Sequence, residues 1–125
     1  MKLTSITPPR TFEVGRAEKI EIRHCANLQL DPDEQVAFTT ESGAEYDVVR
    51  KNWGFFATPS LNSRLWNFGL RAVLVKSAIG RFYIFLVEHG KDPEFGRYTE
   101  VQGYTVVCWL DSDEHLLSLE QKVRT

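Results

Sequence analysis

Apolar and polar residues alternate with a period of two through the first half of the chain, which predicts strands. Residues 19–24, Lys-Ile-Glu-Ile-Arg-His, place charged and apolar side chains on opposite faces. Residues 27–30 alternate again and then meet a turn cluster, Asp31-Pro32-Asp33-Glu34. Residues 35–40 read as a strand by their β-branched and aromatic content. Residues 41–44 form a hairpin turn and residues 45–51 the returning strand. Residues 53–57 extend that strand or start the next, with Gly54 permitting a bulge. Before all of these, residues 11–14 make a short strand ended at Gly15. Residues 1–10, with Pro8-Pro9, read as an extended arm.

The period then changes. Thr58-Pro59 has the form of a helix start, Thr as N-cap and Pro at the first helical position. The predicted helix runs to about Phe68, where Gly69 stops it. Leu61, Leu65 and Phe68 share one face of it and Trp66 lies off that face. Residues 70–77 and 81–88 are strongly strand-like and joined by a tight link, hence an antiparallel hairpin. The second of them is apolar on both faces, the pattern of a central strand covered from both sides. Asp92-Pro93 opens another helix, ending at Gly103, and residues 104–110 follow as a strand. A strand–helix–strand order predicts a parallel right-handed crossover. Asp111 caps a terminal segment, residues 111–125. It is an amphipathic helix with Leu116, Leu119 and Val123 on one face, or else a frayed tail. The predicted class is α+β. An N-terminal antiparallel meander continues into a helix–hairpin–helix–strand unit, in a single mixed sheet and one domain over residues 1–125.

Composition narrows the function classes. At 125 residues the chain has the length of one domain, long enough to build a core without metal or disulfides. A net charge of −2 disfavours a nucleic-acid binder, which carries a basic excess over the domain. No apolar run reaches membrane-span length, and residues 1–9 hold no apolar signal segment, so the expected location is cytoplasmic. Cys25 and Cys108 sit in strand-like runs as small hydrophobes. His24 and Cys25, adjacent on a strand, point to opposite faces and do not form a nucleophile–base pair. The acidic turn of Asp31, Asp33 and Glu34 lacks the spacing of a calcium loop. No metal or cofactor is expected.

Charge is distributed unevenly. Residues 46–82 carry six bases and one acid, while residues 1–45 net −3 and residues 83–125 net −4. Within the basic stretch, Arg50, Lys51 and Arg64 supply charge, and Trp53 supplies a ring for stacking. Thr58 and Ser60 add hydroxyls at the predicted helix start. A helix N-terminus favours anions, so a phosphorylated sugar or nucleotide sugar suits this edge. Trp66 and Arg71 are residue types enriched at interface hot spots and are the candidate interface residues of a homodimer. No phosphate loop, nucleophile elbow or zinc signature is present, and His24, His89 and His115 are scattered.

Residues 46–51, then 53–62 with Arg64-Leu65, and later residues 106–111, resemble a block found in small bacterial proteins of unassigned function. The resemblance covers most of the chain after about residue 19. It implies a gene neighbourhood of surface-polysaccharide and glycosyl-transfer genes and points to carbohydrate metabolism. It brings no catalytic residues with it. Three readings follow: a binding or accessory protein for a phosphorylated sugar, a small enzyme using Asp47 or His89 as acid–base, and a homodimeric or protein-interaction module.

Overall fold

The computed structural model describes residues 1–124. Its class is α+β, with eight strands and three helices among those residues. The expected single mixed sheet is instead three separate antiparallel sheets. The first is a hairpin of β1 (Lys2–Val14) and β2 (Ile20–Gln29). The second is a meander of β3 (Gln35–Thr39), β4 (Glu45–Lys51) and β5 (Gly54–Ala57). The third places β6 (Leu70–Lys76) between β7 (Phe82–Glu88) and β8 (Thr105–Trp109).

The expected extended arm, from Lys2 onward, is the outer part of β1, which pairs with β2 from Lys2↔Gln29 to Val14↔Ile20. The register shifts between Ser5 and Arg10, where Pro8-Pro9 cannot donate to a ladder. Leu3 pairs with Leu28, Phe12 with Ile22 and Val14 with Ile20, so one face of this ribbon is apolar. The ribbon is held at its two ends. At the tip, the Gln102 side chain accepts from Arg16 N–H at 2.7 Å and donates to the Glu18 carbonyl at 2.7 Å. At the base, Arg50 donates to the Leu30 carbonyl at 3.2 Å.

The core lies on both faces of the third sheet. Alternation along β6 sends Leu70 and Ala72 to one face, where they pack with Ala44 and Leu65. It sends Val73 and Val75 to the other, where they meet Val87, Phe85, Phe95 and Trp109. Phe95 belongs to α2 (Asp92–Gln102), which ends at Gly103 in the left-handed conformation. β8 is antiparallel to β6 and so runs parallel to β7. The crossover through α2 has the expected direction but skips a strand. The central strand is β6, not β7.

The first helix corrects the sequence reading. α1 is a single turn, Arg64–Asn67, and its N-cap is Ser63. Thr58 is not a cap, because its N–H bonds the Asp47 carbonyl at 3.2 Å and prolongs the β4–β5 pairing. Ser60 starts the turn, its hydroxyl and carbonyl accepting the N–H groups of Arg64 and Leu65. The terminal segment is helical, α3 (Asp113–Val123), capped by Ser112 rather than Asp111.

Candidate functional site

The basic edge is divided in space. Arg50 and Lys51 lie at the end of β4 nearest the turn before β3. Arg50 holds the Leu30 carbonyl, and Lys51 is bonded to the Asp33 carboxylate. Trp53 projects from the β4–β5 turn and is 69% exposed. Thr58 and Arg64 meet Asp47 instead, and Ser60 accepts the Arg64 N–H. Arg64 comes within 3.8 Å of the Asp47 carboxylate and lies 5.2 Å from the centre of the Phe68 ring. The helix N-terminus expected to hold an anion at Thr58 and Ser60 is absent there, since helical N–H groups begin at Arg64.

Glu45 joins this second group and was not singled out by sequence reasoning. It lies two residues before Asp47 on β4, on the same strand face. Its carboxyl is pushed up, first by its interaction with the neighbouring Asp47 carboxyl, then by desolvation and the Asp47 charge, with Arg64 opposing. Asp47 itself is buried, and its Oδ1 and the Thr58 hydroxyl are both enclosed without a partner. Two acids spaced by two on a predicted strand were the available signal.

Of the two candidate interface residues, one is at the surface. Trp66 is half exposed, its ring centre 4.1 Å from that of His89. Arg71 is mostly enclosed within the chain. Its Nε donates to Asp111 Oδ2 at 2.8 Å, its Nη2 forms an ion pair with the same oxygen at 2.8 Å, and its guanidinium lies 3.6 Å from the centre of the Trp109 ring. Asp92 stands 3.5 Å away, and His115 Nδ1 faces the other Asp111 oxygen at 2.9 Å. This cluster ties β6, β8, α2 and α3 together.

A groove of about 810 Å³ opens elsewhere, along residues 84–88 of β7, with Lys91, Glu94, Phe95 and Tyr98 as its other wall. β7 pairs only with β6 among the described strands, so its other side is a sheet edge. Two bonds fix the phase of the ladder: His89 N–H to the Gly69 carbonyl, and Ser77 N–H to the Arg81 carbonyl. Antiparallel pairs alternate between bonded and non-bonded. Odd-numbered residues of β7 therefore bond β6, and the backbone groups of Phe82, Ile84, Leu86 and Glu88 face the open edge. Phe82 is 57% and Ile84 55% exposed.

Comparison of the chain with protein-family models, with curated proteins and with solved structures gives no match. Among the described residues no group of three or more His, Cys, Asp and Glu is placed to hold a metal ion. No helix there is long and apolar enough to cross a membrane.

Proposed function

We propose that the protein is a protein-interaction module, whose apolar surface is covered in an assembly. One observation carries this reading. A compact monomer of this mass, 14.4 kDa, exposes about 6,800 Å², whereas this chain exposes 9108 Å². Large apolar side chains contribute to the surplus: Leu3, Phe38, Phe82, Ile84 and Leu117 are each more than half exposed. Two of the cations that favoured a charged ligand are meanwhile engaged within the chain, Lys51 with Asp33 and Arg50 with the Leu30 carbonyl. The test is sedimentation of the purified chain together with binding of a hydrophobic dye. An assembly heavier than one chain, or a monomer that binds dye strongly, supports the module. A monomer that binds no dye removes it.

A second reading is favoured by the two enclosed polar atoms without partners, Asp47 Oδ1 and Thr58 Oγ1. A hydroxyl-bearing ligand, such as a phosphorylated sugar or nucleotide sugar of carbohydrate metabolism, would satisfy them, with Arg64 as its counter-charge. The Glu45–Asp47 pair would then supply acid–base chemistry. A thermal-shift screen against sugar phosphates, nucleotide sugars and inorganic phosphate tests it. A shift abolished by Arg64→Ala supports this reading, and a flat screen removes it.

A further inference from the structure

The edge of β7 is unprotected. Folded proteins blunt such edges with lysine, proline, bulges or very short strands. β7 has none of these: it is seven residues long, Phe-Tyr-Ile-Phe-Leu-Val-Glu, and its pairing with β6 runs without a register shift. Its sequence is that of a strand buried on both faces, yet in the single chain it lies at a border. We propose that a second copy of this chain supplies the missing neighbour. The two β7 strands pair antiparallel about a two-fold axis and merge two three-stranded sheets into one of six. This inference rests on the interaction-module reading and names its partner.

Three observations favour a second copy over a peptide from another protein. The first is self-complementarity: an antiparallel edge pairs with itself in a closed dimer. A register centred on Phe85 sets Phe82 opposite Glu88 and Ile84 opposite Leu86, so all four outward-facing residues find partners. The second is charge. Glu88 stands at one end of β7, and at the other Lys76 lies 5.4 Å from the centre of the Phe82 ring. Antiparallel pairing brings the acid of each copy towards the base of the other. The third is area. The surplus surface of about 2,300 Å² per chain falls within the range of obligate dimer interfaces, about 1,000–2,500 Å² per partner.

The test combines native mass with residue-resolved hydrogen exchange on the whole chain. The expected mass is twice 14.4 kDa, with the amides of Phe82, Ile84, Leu86 and Glu88 protected in a concentration-dependent way. Ile84→Pro removes an outward N–H and leaves the ladder to β6 intact, as edge strands tolerate. It is expected to sediment as one chain and still melt cooperatively. Ile84→Lys keeps the N–H, charges the same edge and serves where the proline variant fails to fold. It too is expected to be monomeric. A dimer whose even-numbered amides exchange freely would overturn the proposal, because the copies then join through another face. A wild-type monomer that binds hydrophobic dye overturns the second copy and leaves the module reading standing, with another protein as occupant. A monomer that binds no dye overturns both.

Discussion

Arg71 is enclosed on three sides, by Asp111, Asp92 and the face of Trp109. Both carboxylate oxygens of Asp111 are occupied, one by Arg71 and one by His115. Burial alone would raise this carboxyl, but the hydrogen bonds from His115 and Arg71 outweigh it and hold it below the ordinary carboxylate value. The unfolded chain therefore takes up a proton at a pH where the folded chain still excludes it. The stability contributed by Asp111 is complete above the unfolded carboxylate value and is lost as pH falls through the folded one. Glu88, held low by the Ser42 and Thr40 hydroxyls, acts in the same sense. Glu45, pushed up, acts in the opposite sense and loses its contribution as pH rises. Asp111→Asn should flatten the acid limb of a stability-against-pH curve while leaving the part due to Glu88. Arg71→Ala strands a buried carboxylate and uncovers Trp109, and denaturant unfolding should show a loss of about 3 kcal/mol. Trp53→Ala, at an exposed turn, should stay within about 0.5 kcal/mol of wild type.

Elements with a local signal were legible, and those shaped by distant contacts were not. The β3–β4 and β6–β7 hairpins, α2 and α3 follow from alternation, turn residues and helix periodicity within a few positions. The first helix fails because Thr58 and Pro59 look the same whether they cap a helix or end a strand. The Asp47 carbonyl, eleven positions away, takes the Thr58 N–H and decides the matter. The basic stretch has a similar explanation. Its bases pair with acids from the two acidic flanks, Lys51 with Asp33 and Arg71 with Asp92 and Asp111. For these two bases of the six, the charge is complementarity inside the fold, visible only once the chain has closed on itself. The N-terminal hairpin shows the same dependence on distant residues. A two-stranded ribbon is marginal alone in water, and this one is pinned at its tip through Gln102. Gln102→Ala removes both tip bonds, so hydrogen exchange should speed up across β1 and β2 while the third sheet keeps its protection. Gly15→Ala should loosen the same tip. Gly15 sits at φ 111°, and an added Cβ would press on the Glu18 carbonyl.

At the scale of the whole molecule, sequence pattern and single-chain fold disagree at one place, and the disagreement carries information. Residues 82–88 have the composition of a strand covered on both faces, whereas the chain pairs one edge of β7 and leaves the Phe82, Tyr83 and Ile84 side chains exposed. Burial demanded by a pattern and withheld by the monomer points to cover from outside. If that cover is a second copy, folding and association are one equilibrium, and apparent stability depends on protein concentration. Each tenfold rise in concentration then adds about 1.4 kcal/mol per dimer, which for about 250 residues raises Tm by roughly 3 °C. Melting the wild type over two decades of concentration should show that climb, and Ile84→Pro should melt at a Tm that concentration does not move. The contrast separates a structural partner from a stabilising ligand. A sugar phosphate would raise Tm with its own concentration and leave the dependence on protein concentration flat. A Tm that tracks protein concentration and ignores sugar phosphates assigns the apolar edge to self-association and leaves the Glu45–Asp47 pair as a local feature of β4.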